Sequence, residues 1–302
     1  MSNSVQSWYV SMTLTILWAA PSPLVAHSRQ GSPLSSPNIH QMVKNLARNE
    51  LQASEHPSHY YSYIERNITP DGSNTVEEIA TPQGSVDRLI EVDHHTPDPR
   101  QLAQNQALLA ELPGDTQLQQ SRLKDQQNNR QRRDNVLKDI PQAFIYTYGG
   151  RDQQGRIILK FQPSPDFEPS SRQSLILQGM AGELWVDPST ERMVKISGSL
   201  IEDVKIGWGF LARLNKGGTF RMEQSQGPDG TWHQMLLSVH FDGTVLIFKH
   251  IHIRVQQIRC CFERVPDNLS IQEAIHLLEA RTTLPKDWQT RLEAIQKGSP
   301  HQ

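Results

Sequence analysis

Apolar and polar residues alternate along much of the stretch from Ser174 to Val265, and short turn signals interrupt the alternation. The signals are Asp187-Pro188, Lys216-Gly217-Gly218, Pro228-Asp229-Gly230 and Asp242-Gly243. Strands separated by such turns at intervals of about 8–12 residues are typical of an antiparallel sheet. The pattern therefore predicts one continuous antiparallel sheet over this stretch.

The rest of the chain combines strand patterns with a few helical ones. Aromatic and β-branched runs predict further strands over 60–68, 75–80, 85–92, 143–148 and 156–161. Helices are predicted over 37–53, 98–109, 114–139 and 285–295, and after the capping box Ser270-x-x-Glu273. The helix over 114–139 is polar nearly all round, which is typical of a solvent-exposed or marginal helix.

This order of elements predicts an α+β fold in which a single strongly curved antiparallel sheet, a half-barrel, wraps over a few helices. A broad sheet with few amphipathic helices tends to curl, and a curled sheet closed by helices leaves an apolar cavity. We expect this domain to span 37–283, with a helical insertion at 98–140. A C-terminal helix and tail would then occupy 284–302.

The N-terminus carries a mostly apolar run from Trp8 to Ala20, of the length found in signal peptides. Pro21 and Pro23 end the run, and the small residues around Ala26 predict cleavage near Ser28. We interpret 1–28 as a signal peptide and 29–36 as a linker, which places the protein in the periplasm or outside the cell. Because no Lys or Arg precedes the run, a retained membrane anchor and a packed N-terminal helix remain as alternatives.

Charge and cysteine content narrow the function classes. The formal net charge of −2 argues against a nucleic-acid binder, which normally carries a clear basic excess. The two cysteines, Cys260 and Cys261, are too few for a disulfide framework, and their spacing does not suggest zinc. Neighbours on a strand point to opposite faces, so the sequence predicts two ordinary thiols.

The histidines of one predicted strand are the strongest candidate metal ligands. His250 and His252 would share a face of the strand, and His240 is the best third ligand. However, the opposite face of this strand is the apolar one, so the histidines are expected to be solvated. The sequence also lacks a GxSxG motif, a Walker loop and a GxGxxG motif. We therefore expect no metal site, no cofactor and no enzyme activity, and keep a metal-dependent hydrolase built on these histidines as the weaker alternative.

A small basic cluster lies in the polar predicted helix, at Arg130, Arg132 and Arg133. Such a cluster could bind an acidic partner or lipid headgroups. The simpler interpretation, a solvated helix face offset by nearby aspartates, is favoured because charge runs usually serve that role.

Apolar side chains at alternating positions are candidates to line either the core or an apolar groove. Phe220 and Met222 are predicted to share one face of a strand, while Met235, Leu237 and Phe241 share a face of the next. The complete candidate set is Trp208, Phe210, Phe220, Met222, Met235, Leu237, Phe241, Ile247 and Ile251.

Three runs carry a resemblance to a family. They are FQPSPDFEPSS, GMAGELWVDPSTERMVKISGSLIEDVKIGWGFLARLNKGGTFRMEQ and FDGTVLIFKHIHIR, within about residues 140–278. They resemble uncharacterised exported proteins of acidobacterial type, whose fold is similar to the LolA/LolB carriers of lipoproteins and lipids. The resemblance implies a curved sheet over helices with an apolar concavity for acyl chains, and it carries over no functional residue.

The expected function is that of a periplasmic, non-enzymatic binding protein that carries lipid or lipoprotein acyl chains in an apolar groove. The alternative is a cell-envelope interaction or scaffold protein whose concavity is filled by its own helices. We expect a monomer that touches a membrane transiently, if at all.

Overall fold

The structure is a computed structural model that describes residues 38–55, 57–206, 211–246 and 249–298. The predicted signal peptide and linker, and the candidate residues Trp208, Phe210 and Ile247, lie outside the described residues.

Twelve strands and five α-helices are formed by the described residues. The helices are α1 (Ile39–Glu55), α2 (Pro99–Glu111), α3 (Thr116–Ala143), α4 (Ile271–Ala280) and α5 (Trp288–Lys297). The strands are β1 (Tyr60–Thr69), β2 (Gly72–Thr81), β3 (Gly84–Val92), β4 (Phe144–Arg151), β5 (Ile157–Pro163), β6 (Met180–Asp187), β7 (Arg192–Leu200), β8 (Val204–Ile206), β9 (Ala212–Leu214), β10 (Thr219–Gln226), β11 (Trp232–Val245) and β12 (Lys249–Val265).

All twelve strands belong to one antiparallel sheet that does not close. Its order is β3-β2-β1-β12-β11-β10-β7-β6-β5-β4, and the short strand β9 pairs with both β8 and the end of β11. The predicted α+β class with a large antiparallel sheet is confirmed. The last strand, β12, lies inside the sheet because it pairs with β1 on one side and β11 on the other.

Helices cover both faces of the sheet. Along β12, Ile253 and Val255 join the largest apolar cluster, which includes α1 and α3, while Ile258 and Cys260 join the cluster beneath α5. Residues an odd number of positions apart on a strand point to opposite faces, so α1 and α3 lie on one face and α5 on the other. We call these the α3 face and the α5 face. α4 packs against β2 and β3.

Helix starts follow the capping chemistry of the sequence. The predicted capping box is confirmed at α4, where Glu273 N–H donates to Ser270 Oγ at 3.2 Å and Ser270 N–H donates to Glu273 Oε2 at 2.8 Å. Asp98 and Gln101 form the same arrangement at α2. Each box satisfies backbone N–H groups that the first turn would leave unpaired.

One strand prediction and one turn prediction are wrong. Ser174–Gly179 forms a 3₁₀ helix in which the consecutive residues Ile176 and Leu177 are both buried. Asp242-Gly243 lies within β11 instead of forming a turn. The glycine serves a different purpose there, because a Cβ on Gly243 would lie 2.3 Å from the Arg213 carbonyl oxygen of the paired strand β9.

Among the described residues, no helix combines the length and apolar character needed to cross a membrane.

A buried carboxylate connects α1 to the sheet. Glu50 is 7% exposed and accepts hydrogen bonds from Arg192 Nε at 2.8 Å, Met193 N–H at 2.9 Å and Gln224 Nε2 at 3.1 Å. One side chain of α1 therefore holds β7 and β10 together.

Replacing Glu50 by Ala should lower the free energy of unfolding by about 3 kcal/mol, because the buried Met193 N–H and the largely buried Arg192 guanidinium would lose their acceptor. Urea denaturation measures the change. Glu55→Ala, at an exposed position of the same helix, is the matched control and should have little effect. A loss in Glu50→Ala no larger than in the control would contradict this role.

Candidate functional site

A cavity of about 690 Å³ lies on the α3 face, between the sheet and the helices α1 and α3. It crosses seven neighbouring strands, from β3 to β7, beneath α3. We call it the groove. Its volume falls within the 300–1,000 Å³ of most small-molecule sites. The strand residues that line it include Tyr61, Tyr63, Glu78, Ala80, Ser85, Met193, Ile196, Phe220, Met222, Trp232, His233, Leu237, Gln257, Arg259 and Phe262.

The helix α3 spans the groove from one edge strand to the other. At its N-terminal part, Arg122 Nη2 donates to Asp87 at 2.6 Å and Gln126 Nε2 donates to Ser85 at 3.0 Å, which connects it to β3. At its C-terminal part, Leu137 and Ile140 are buried and the chain continues directly into β4. The N-terminal part is thus held mainly by polar contacts, with partly buried Leu118 packed on a neighbouring apolar cluster, whereas the C-terminal part is packed into the core.

One face of α3 lines the groove. Asn129, Arg133, Leu137 and Ile140 recur at intervals of three or four residues, and all four line the cavity. The stripe changes from polar to apolar along the helix. The polar composition of α3, which predicted only a solvated helix, therefore conceals a stripe of side chains that lines the groove.

The floor of the groove is apolar near β10 and β7. In the sheet register, Met222 lies opposite Leu237, and Phe220 lies opposite Val239. Phe220, Met222 and Leu237 therefore share the α3 face and line the groove together with Ile196.

The remaining candidates of the apolar set lie elsewhere. Phe241 is fully buried in the main core, and Ile251 packs against the same core while partly buried. The expectation that Met235 shares a face with Leu237 is wrong, because Met235 packs in the cluster beneath α5. The cause is a bulge in β11 at Met235: Glu223 pairs with Leu236 and Gln224 with Gln234, so the alternation breaks there.

A charged cluster forms the wall of the groove near β1 and β2. Arg259 Nε donates to Glu65, and its guanidinium lies 5.1 Å from the centre of the Tyr63 ring. Burial opposes the charge on Arg259, but Glu65 and the nearby Tyr63 and Glu78 raise its pKa above the ordinary value. Arg259 is therefore a permanent cation inside the groove wall.

Two carboxylates share this single cation. Desolvation and the charge of Glu65 raise the pKa of Glu78 above its ordinary value of 4.5, although Arg259 and hydrogen bonds from Tyr63 and Ser85 act in the opposite direction. Burial, followed by the charge of Glu78, also raises the pKa of Tyr63 well above the usual range. Because Arg259 donates its hydrogen bond to Glu65, the negative charge of ionised Glu78 is the one in this cluster that is least balanced by a positive charge.

Aromatic rings continue the wall towards β11. The His233 ring stacks on Phe262 with centroids 4.1 Å apart, and Tyr61 meets His233 edge-on at 4.5 Å. Burial lowers the pKa of His233, although the negative charge of Asp229 acts in the opposite direction. The ring is therefore neutral at neutral pH. Tyr61 Oη donates to Asp229 at 2.5 Å and keeps its ring in place.

The basic cluster of α3 also belongs to the groove. Arg130, Arg132 and Arg133 all line it, although a merely solvated face was favoured from the sequence. Arg133 donates to Ser54 and lies 3.5 Å from Asp134. Desolvation lowers the pKa of Arg133, and the positive charge of Arg130 lowers it further, whereas Asp134 acts in the opposite direction. The cluster therefore presents positive charge along the polar part of the groove.

The candidate metal ligands do not lie in the groove. His240, His250 and His252 are exposed, and His252 Nδ1 lies 2.5 Å from Asp242 Oδ1, which also accepts from Arg254 at 3.1 Å. These contacts lower the pKa of Asp242. Within the described part of the chain, no group of three or more His, Cys, Asp or Glu side chains is arranged to hold a metal ion.

Several groove residues were not identified from the sequence, namely Tyr63, Glu78, His233, Arg259 and Phe262. One signal was available: the alternation Ile253, Val255, Gln257, Arg259 places Arg259 on the same face as the apolar residues before it. The approach of Glu65 and Glu78 to Arg259 depends on the pairing of β1 with β12 and was not visible in the sequence.

Comparisons with protein-family models, curated protein sequences and solved structures find no significant match.

Replacing Glu78 by Gln should stabilise the protein at neutral pH. A raised pKa in the folded state means that the ionised carboxylate costs stability, and that this cost disappears as the pH falls through the raised pKa towards 4.5. Thermal unfolding should therefore show a higher midpoint for Glu78→Gln at neutral pH and the same midpoint as the wild type below pH 4.5. Glu111→Gln, at an exposed position of α2, is the control. A lower midpoint at neutral pH would contradict the assignment.

Proposed function

We propose that this chain is an exported, non-enzymatic carrier that holds an acyl chain of a lipid or lipoprotein in the groove beneath α3. We further propose that its open sheet is a half-barrel of the LolA/LolB type. The observation that carries the proposal is the groove itself, which combines an apolar floor, a basic rim and a volume of about 690 Å³.

The apolar floor suits an acyl chain. Phe220, Met222 and Leu237 offer hydrocarbon and thioether surface without a hydrogen-bonding group, and Val136 and Ile140 of α3 face the same space. Each CH₂ group removed from water contributes about 0.8 kcal/mol, so an acyl chain binds such a floor with few polar contacts.

The basic rim suits an anionic headgroup. Guanidinium groups form strong, charge-assisted hydrogen bonds to carboxylate and phosphate oxygens. Because the residues of α3 that line the groove change from Arg130 and Arg133 to Leu137 and Ile140, a bound amphiphile has one preferred orientation. Its tail lies towards β10 and β7, and its headgroup lies beneath the arginines.

A carrier function also agrees with the signal peptide predicted from the sequence, which would direct the protein to the periplasm. A monomer that touches the membrane transiently would suffice for this role. The scaffold alternative assumes that the protein's own helices fill the concave side of the sheet, which agrees less well with a cavity of about 690 Å³.

Replacing Leu237 by Asp should weaken binding of a fluorescent fatty acid about tenfold or more. A buried leucine side chain contributes about 1.5–3 kcal/mol, and each 1.4 kcal/mol is a factor of ten in affinity. Ile145→Asp, on the exposed side of β4, makes the same chemical change outside the groove and should bind like the wild type.

Native mass spectrometry of protein purified from the periplasm provides the parallel test, in which the wild type is expected to carry lipid. A clean mass without bound lipid, together with no uptake of the fluorescent fatty acid, would overturn the carrier function and leave the scaffold alternative.

Replacing Arg130 and Arg133 together by Gln should weaken binding of a fatty acid but leave binding of the fatty alcohol of equal length unchanged, because only the acid carries a negative charge. Competition against a fluorescent probe measures both affinities. Lys124→Gln, an exposed cation of the same helix, is the matched control. Equal losses for the acid and the alcohol would contradict the assigned orientation.

A further inference from the structure

The adjacent cysteines of β12 meet on one side of the strand, contrary to the alternation predicted from the sequence. In the register of β1 with β12, Ser62 pairs with Glu263 and Ile64 with Cys260, so Tyr63 faces two residues of β12. This is a β-bulge, and Cys261 within it adopts the left-handed conformation with φ 62°. As a result, the two Sγ atoms lie only 2.7 Å apart.

The two thiols differ in their surroundings. Cys260 is 1% exposed and packs with Leu292 and Ile295 of α5. Cys261 is partly exposed and lines a second cavity, of about 370 Å³, on the α5 face together with Arg281 and Leu284. A small reagent can therefore approach Cys261, while Cys260 lies behind it.

We propose that Cys260 and Cys261 form a redox site that closes reversibly to a disulfide between neighbouring residues. Consecutive Cα atoms are about 3.8 Å apart, whereas ordinary disulfides need at least about 4.4 Å, so extended backbone does not permit the bond. The bulge has already moved the backbone out of the extended conformation and has brought the sulfurs close to the bonded distance of about 2.05 Å.

The reaction is a thiol–disulfide exchange with a small disulfide or a disulfide-bearing oxidoreductase as the oxidant. Cys261 thiolate attacks one sulfur of the oxidant, forms a mixed disulfide and releases one thiolate. Cys260, after losing its proton, attacks Cys261 Sγ and releases the second thiolate. The two cysteines lose two electrons and two protons, and the oxidant becomes two thiols.

The local charges favour this order of attack. A hydrogen bond from Cys260, together with Arg291, lowers the pKa of Cys261, while the same contact and burial raise the pKa of Cys260. The more accessible sulfur is thus also the better nucleophile. Because strained disulfides are more easily reduced, the closed form should reopen with a mild reductant.

Oxidised glutathione added to the reduced, full chain should remove both free thiols without adding glutathione mass. Trypsin cuts after Arg259 and Arg264, so the peptide 260–264 contains both cysteines and should lose two hydrogen atoms. Dithiothreitol should restore the original mass. A chain with one glutathione on each cysteine, disulfide-linked dimers, or two thiols that persist would each overturn the proposal.

Single variants test the order of attack. In Cys260→Ser, Cys261 should retain glutathione as a stable mixed disulfide, because the second thiol is absent. In Cys261→Ser, which changes only the partly exposed position, the buried Cys260 should react more slowly than Cys261 does in the other variant. Equal rates for the two would show independent thiols and contradict the site.

Discussion

The sheet depends on the pairing of β1 with β12, one strand from the N-terminal part and one from the C-terminal part of the described chain. Their ladder runs from Tyr60 opposite Val265 to Ile68 opposite Gln256. It joins the N-terminal meander β1–β3 to the rest of the sheet. Closing so long a loop is entropically costly, and contacts on both faces offset the cost. Glu65 pairs with Arg259 on the α3 face, while on the α5 face Arg281 contacts Ser62 at 2.8 Å and Glu77 at 3.1 Å. The charged wall of the groove depends on this ladder, because Glu65 and Glu78 belong to the N-terminal strands β1 and β2 and Arg259 belongs to β12.

Bulges decide which side chains the groove receives. A shift of one residue moves every following side chain to the other face of a strand. The bulge at Cys261 places Phe262 in the groove, where it stacks on His233. The bulge in β11 turns Met235 away to the α5 face while Leu237 remains in the groove. The chemistry of the groove is therefore set by two local irregularities as much as by the strands themselves.

The two parts of α3 have different tasks. From Asp134 onwards the helix contributes six buried residues and packs into the core. Before that residue it is connected to β3 by polar side-chain contacts to Asp87 and Ser85. Segments with few buried apolar contacts open at low free-energy cost. A helix held more firmly at one end than at the other is consistent with the proposed carrier function, in which the groove would have to admit and release a ligand.

The sequence by itself determined the local elements and the fold class. Alternation, helical stripes and capping boxes located the helices and nearly all strands, because these signals depend on near neighbours along the chain. The apolar floor at Phe220, Met222 and Leu237 was likewise visible in the alternation. Only the tertiary structure decided that Arg259 meets Glu65 and Glu78, that Arg130 and Arg133 face a groove, and that Cys260 and Cys261 share a side of β12. The physical reason is that strand register and bulges arise from pairings between distant segments, and the alternation within one strand does not encode them.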